Sequence, residues 1–466
     1  MRPRCARILT LCASVVVSQA IRSPVIIIPG FASSALEARI NPQTASAALK
    51  TECPQLVGSQ WVQIWNGNQT KACQALVFRL DVDPASGRYA NTTGVEVRPL
   101  DFGGLRGIDS DGGDPEKGFW APMVNQLRGA GYVVGQNIFG APYDWRLAPE
   151  DGLGQVHWFA DLRALIERAV ASAGGMPATL VGHSMGTQIS HYFLAIATTA
   201  PWRAQYVSGF FGLGPVLGGA VTALSLVLPG IIPGLTQLPL SPGDLWNAQQ
   251  TWPAGPSLAP RAFAFQSRVV AEVSTNYTAS DLERMLLDLG QTLPAALYRR
   301  VHQFSPTPFP ALDVRVACVY GMGLPTPELV IHNPVAAAMA ADATAAAPAP
   351  YMAPLAAPAP SMRRKLQAIG APAPAPAQAP FSAAATAFFA SKWSQAFGDG
   401  DGVVNLVSLR TCERLLPEAI LRRPKVTHNG IVSDPDALQL LLRFAANCAL
   451  PAPAPAPSPA TQFTSV

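Results

Sequence analysis

Short apolar runs bounded by turn-forming residues organise this chain. Val25-Ile26-Ile27-Ile28 has no polar position, predicts a buried strand, and gives way to the small-residue turn Pro29-Gly30-Phe31-Ala32-Ser33-Ser34. A second run, Ala178-Thr179-Leu180-Val181, enters Gly182-His183-Ser184-Met185-Gly186, after which Gln188 to Leu194 can continue as a helix. Near the end, the short run Pro424 to Thr427 leads to Ser433-Asp434-Pro435-Asp436, a helix start with a capping side chain and an early proline. Strands alternating with helices predict an α/β fold. From Gly218 to Leu240 the chain is apolar but broken by Pro229, Pro233 and Pro239. That segment predicts a mobile lid, with a buried helix and loop of a cap as the alternative, and no regular spanning helix.

The pattern around Ser184 carries the chemistry. A Gly-x-Ser-x-Gly between a strand and a helix makes a nucleophile elbow, where small flanking residues let the serine hydroxyl project from a tight turn. In an α/β-hydrolase fold the acid and the histidine follow the serine in that order. Four histidines follow Ser184. His191 is on the nucleophile's own helix, His302 is in a segment predicted helical, and His332 borders a low-complexity tract. His428 falls between the last predicted strand and the last helix, where this fold places its general base. Upstream of it, Gly398-Asp399-Gly400-Asp401-Gly402 is an acidic, glycine-rich loop offering two carboxylates. It lacks the glutamate of an EF-hand, and no metal or cofactor is expected. The tetrahedral oxyanion needs backbone donors: the N–H of Met185, directly after the nucleophile, and the N–H of Phe31 from the turn after the first strand.

These motifs resemble the lecithin:cholesterol acyltransferase family, which includes the lysosomal phospholipase A and plant-type relatives. The resemblance is carried by Pro24 to Leu36, Ala141-Pro142-Tyr143-Asp144-Trp145-Arg146-Leu147, Gly182 to Gly186, Asn276 to Thr278, Tyr320 to Glu328, Gly398 to Asn405 and the region of His428. It implies Ser184, Asp401 and His428 as the triad, with Asp401 preferred to Asp399, and Phe31 and Met185 as oxyanion donors. It also implies disulfides Cys53–Cys73 and Cys318–Cys412, each stabilising the fold by about 2–4 kcal/mol. Asp144 and Arg146 are expected to hold structure by ion pairing. Where relatives carry Ala-Pro-Trp-Gly-Gly, this chain has Gly214-Pro215-Val216-Leu217-Gly218-Gly219, so a bulky aromatic of the acyl pocket is absent.

Composition restricts the compartment and the partners. Arg2, Arg4 and Arg7 precede an apolar stretch from Ile8 to Val17 and a small-residue cleavage site, so residues 1–20 read as a secretory signal peptide. Beyond it no segment reads as transmembrane, and the expected destination is the exterior or a lysosome- or vacuole-like lumen. Cys448 is left unpaired and is expected to be buried and free. Sequons at Asn68, Asn91 and Asn276 agree with secretion. The formal net charge of +4 over 466 residues, without a dense basic stripe, excludes a nucleic-acid partner. Two Ala/Pro-rich tracts, 334–390 and 451–466, divide the chain into a first core part (21–333) and a second (391–450). Within the first part lie a lipid-binding loop, 53–73, and a lid or cap at about 218–300.

Trp61 and Trp65 in that loop predict exposed indoles suited to a membrane–water interface. The expected activity is acyl transfer from a glycerophospholipid, at a membrane or lipoprotein-like surface, to an alcohol such as a sterol or glyceride, or to water. A neutral-lipid lipase and a catalytically silent lipid-binding protein are the alternatives.

Overall fold

The computed structural model describes residues 22–150, 156–228, 242–305, 309–333 and 392–447. Its centre is a six-stranded parallel sheet of β1 (Val25–Ile28), β2 (Ile138–Gly140), β3 (Ala178–His183), β4 (Val207–Leu213), β5 (Arg315–Met322) and β6 (Ala419–Pro424). The spatial order is β6-β5-β4-β3-β1-β2.

Apolar residues fill both faces because successive strand side chains point to opposite sides. Ile26, Leu180, Phe210 and Val316 join a core with the helix Val156–Ser172 and the helix Met185–Tyr192. Their neighbours Ile27, Val181, Phe211 and Ala317 join the other core, against helices Ala121–Gly129 and Pro435–Ala445. This two-sided burial, with the serine elbow at the end of β3 and the histidine after β6, is the α/β-hydrolase fold. The last helix starts as the sequence indicates, with the Asp434 carboxylate accepting from the Ala437 N–H at 3.0 Å.

Two smaller sheets deliver loops to the C-terminal edge of the central one. Leu36–Ile40 pairs with Val62–Gln63 and Val95–Pro99, and carries the excursion closed by Cys53–Cys73. Leu324–Asn333 runs antiparallel to Lys392–Gly400, so Asn333 is paired with Lys392 and Leu324 with Gly400. The Ala/Pro-rich tract therefore joins two residues that the ladder already holds side by side, at the end far from the acid loop. An insertion at such a point adds little closure entropy and leaves that loop in place.

The second bridge, Cys318–Cys412, ties β5 to the segment before β6. Both pairings are those the resemblance implies. The expected signal peptide, the two Ala/Pro-rich tracts, Cys448 and residues 229–240 of the expected lid lie outside the described residues. Residues 218–228, the first half of the expected lid, are described, and there Val221, Leu224 and Leu228 are fully buried. That half packs as part of a cap core with Tyr277 and Met285. Among the described residues no helix is long and apolar enough to cross a membrane.

Candidate active site

Ser184 stands between β3 and the helix Met185–Tyr192 with φ 54° and ψ −125°, a conformation that costs a non-glycine residue about 1–3 kcal/mol. Two contacts impose it. The Ser184 N–H donates to the Leu213 carbonyl at the end of β4 at 2.9 Å. Gly186 passes so close to β1 that a Cβ there would lie 2.3 Å from the Ile28 carbonyl. The helix is also tied to the cap. Gln188 donates to the buried carboxylate of Glu150, which accepts from Ser257 and pairs with Arg261 of the cap. Burial pushes the Glu150 carboxyl up even against the pull of Arg261.

The candidate acid and the candidate base lie side by side. His428 Nδ1 is 2.7 Å from Asp401 Oδ2, and both residues are buried. Asp401 Oδ1 accepts from the amides of Val403 and Val404 at 3.1 and 2.7 Å, and the His428 N–H donates to the Asp401 carbonyl at 2.8 Å. These bonds fix the carboxylate and make Nδ1 the protonated nitrogen. His428 Nε2, on the other side of the ring, is buried with no hydrogen-bond partner among the described residues, and so is available to take a proton. Asp399 is exposed, with Oδ1 accepting from the Gly323 N–H at 2.7 Å. His191 and His302 donate Nε2–H to the carbonyls of Pro310 and Pro256.

Two residues at this site carry no recognisable sequence signal. Gly214, directly after β4, has φ 51°, and a Cβ there would sit 2.9 Å from His428 Nδ1. His183, the variable position of the elbow motif, places Nε2 3.0 Å from the His428 carbonyl, and its ring centroid is 4.9 Å from that of His428. Burial, reinforced by the neighbouring His428, pulls the His183 pKa down to about 3. It therefore stays neutral and donates to the loop that carries His428.

Phe119 and Trp120 pack on His183, and the Phe119 N–H donates to Asp109 at 2.9 Å. Burial pushes the Asp109 carboxyl up to about 6 from 3.8. A carboxyl raised in the folded state binds its proton more tightly there than in the unfolded chain. Its contribution therefore favours folding at low pH and is lost as pH rises from about 4 through about 6. Asp109→Asn is expected to remove that slope. The variant should gain roughly 2–3 kcal/mol over the parent between acidic and neutral pH, read by thermal unfolding at pH 4 and pH 7.

The turn expected to supply an oxyanion donor faces Ser184, since a Cβ on Gly30 would lie 3.0 Å from Ser184 Cβ. Phe31 follows in that turn, and Met185 heads the helix after Ser184. Asp144 and Arg146 form a buried ion pair, and the guanidinium also donates to the carbonyls of Val77 and Phe78 and to Asn91. Of the sequons, Asn68 and Asn276 are exposed, whereas Asn91 is half-buried and engaged by Arg146.

The expected exposure of Trp65 needs correction. Trp65 is a core residue, 3% exposed, with its ring 4.6 Å from Trp145 and 5.4 Å from Phe78. Its indole N–H donates to the Ala32 carbonyl at 2.8 Å, so its polar edge is satisfied inside the protein and has no need of an interface. Trp61 is half-buried, with the guanidinium carbons of Arg98 and Arg39 at 4.1 and 4.7 Å from its ring centroid.

The sequence model described as "Lecithin:cholesterol acyltransferase" matches residues 61–303, more than half of the chain. The protein belongs to the lecithin:cholesterol acyltransferase family. It is 28% identical to "Lecithin-cholesterol acyltransferase-like 1" of Oryza sativa subsp. japonica, over 88% of this chain and 83% of the relative. It is 30% identical to "Phosphatidylcholine-sterol acyltransferase" of Mus musculus, over 66% of this chain and 70% of that protein. It is also 28% identical to "Lysosomal phospholipase A and acyltransferase" of Bos taurus, over 66% and 75%. The matched residues of this family member contain Ser184 and Glu150, while Asp401 and His428 lie beyond them.

Proposed function

We propose that the protein transfers a fatty acyl group from a glycerophospholipid to an alcohol or to water through an acyl-enzyme on Ser184. The observation that supports this most directly is the His428–Asp401 pair, whose Nε2 has no hydrogen-bond partner among the described residues, together with a serine held at φ 54° in the elbow. In this reading Ser184 Oγ attacks the ester carbonyl carbon and its proton passes to His428 Nε2. Asp401 stabilises the imidazolium, and the N–H groups of Phe31 and Met185 receive the oxyanion. Collapse of the tetrahedral intermediate breaks the ester C–O bond, and the lysophospholipid alkoxide leaves with the proton from His428. An alcohol or water then gives its proton to the same nitrogen and attacks the acyl-enzyme, releasing Ser184.

The names of the relatives support a phospholipid donor, with a sterol or water as the acceptor. The leader-like N terminus, the two disulfides and the lysosomal relative support action in the secretory pathway, at a membrane or lipoprotein-like surface. The reading is tested with phosphatidylcholine liposomes, with and without sterol, and mass spectrometry of the products. Free fatty acid and lysophospholipid, with sterol ester appearing when sterol is present, are expected. Intact phosphatidylcholine with well-folded protein that takes up no fluorophosphonate would leave a lipid-binding protein.

A further inference from the structure

We propose that Trp65 is a positioning residue for the oxyanion hole, so that the excursion closed by Cys53–Cys73 sets the geometry of the reaction. The proposal rests on the reading of Phe31 and Met185 as oxyanion donors. The turn that presents Phe31 is short and strained. Ser33 N–H closes it on the Gly30 carbonyl at 3.2 Å, and Ala32 between them has φ 57°, where a side chain costs about 1–2 kcal/mol. Something must hold that conformation against relaxation.

The ends of the turn are clamped by the Ala141–Leu147 motif. Tyr143 Oη donates to the Pro29 carbonyl at 3.0 Å, the Tyr143 N–H donates to Ser34 Oγ at 3.1 Å, and Trp145 Nε1 donates to the Ser34 carbonyl at 3.1 Å. None of these reaches the apex. Among the described residues, the side chain from outside the turn that donates to its apex is Trp65, at 2.8 Å from the Ala32 carbonyl.

Trp65 is itself well fixed. Its ring is wedged against Trp145 and Phe78, its N–H and that of Ile64 both donate to the Leu36 carbonyl, and its own carbonyl accepts from Gln63. The chain on either side is closed by the Cys53–Cys73 bridge. The indole thus transmits the position of the excursion to the Ala32–Ser33 peptide, two peptide units along the same tight turn from the one that carries the Phe31 N–H. An oxyanion donor works only within about 2.7–3.1 Å of the forming charge, and a misplacement of about 1 Å lowers the rate roughly 100-fold. Loss of the indole N–H frees the apex to relax and moves the donor. Ground-state substrate contacts stay as they were.

The test compares two buried indoles of one aromatic cluster. Trp252 packs against Trp145 and, with ring centroids 6.5 Å apart, against the side chain of Phe31. Its N–H donates to the Phe78 carbonyl at 2.7 Å and not to the backbone of the turn, so the two variants differ in the hydrogen bond to the apex. Trp65→Phe and Trp252→Phe each remove one buried indole N–H and keep a ring. On a water-soluble short-chain ester, Trp65→Phe is expected to lower kcat about 10–100-fold with KM within about threefold. A trifluoromethyl ketone, whose adduct carries an oxyanion, should bind it more weakly by the same factor. Trp252→Phe is expected to stay within about threefold on both measures. Equal losses in the two variants, or a change confined to KM, would overturn the proposal. Should Trp65→Phe not fold, benzothienylalanine at position 65 replaces N–H by sulfur in the same shape and is judged by the same criteria. Failure of the parent protein to hydrolyse the ester or to take up a fluorophosphonate would overturn the function itself. An active parent with an unaffected Trp65→Phe would overturn only the role of Trp65.

Discussion

Ser184→Ala is expected to abolish labelling by a fluorophosphonate and to lower kcat on phosphatidylcholine by about 10⁴–10⁶-fold, by analogy with serine proteases, while the protein still folds. The structural half of this expectation follows from what the hydroxyl does not do. Ser184 occupies the cap position of its helix, where serine ordinarily bonds a backbone N–H, yet its side chain makes no capping bond. Its strained φ of 54° is held by the backbone bond to Leu213 and by the close approach of Gly186 to β1, both of which alanine keeps. A serine that is strained and contributes no cap is retained for its chemistry. Kinetics on liposomes and a thermal unfolding scan of the same sample check both halves. Residual turnover above about one hundredth of the parent would assign the nucleophile elsewhere, and loss of the fold would make the Ser184 hydroxyl a structural group. His428→Ala should reach a similar rate but a lower stability, because it strands the buried Asp401 carboxylate.

The readable parts of this chain were those in which one residue type answers one local demand. The four apolar residues of β1 announce a strand buried on both faces, and Asp434 before Pro435 announces the last helix. The elbow is legible because only glycine fits against Ile28 and Pro29 at position 186. Parts that depend on packing between distant segments were less so. Trp65 reads as an interfacial tryptophan within its own loop, and only the fold brings Ala32, Trp145 and Phe78 around it. His183 looks like the free position of its motif until the loop after β6 closes over it. Gly214 belongs to a departure from the family pattern, but the reason for a glycine there is His428, more than two hundred residues away. The Gly218–Leu240 segment shows the same limit, since its apolar residues up to Leu228 meet a cap core that local sequence does not reveal.

The choice between the two carboxylates of the acid loop leads to the other large effect. Asp401→Asn is expected to lower kcat about 10⁴-fold, the size seen when a triad aspartate of a serine protease is made an amide, whereas Asp399→Asn should stay within about threefold. The difference is one of hydrogen-bond polarity. Asp401 Oδ1 is committed to the N–H groups of Val403 and Val404, so an asparagine keeps its oxygen there and turns its NH₂ toward His428. Nδ1 of the imidazole must then accept a hydrogen bond instead of donating one. The ring proton moves to Nε2, and the nitrogen that should take the serine proton is blocked. Asp399 is exposed, and its recorded bond is one that an asparagine oxygen accepts equally well, from the Gly323 N–H. Burst kinetics with an activated ester separate this from a folding defect, because Asp401→Asn should retain Ser184 and substrate binding while acylation slows. A crippled Asp399→Asn beside an active Asp401→Asn would reverse the assignment and require the loop to reorganise when substrate binds.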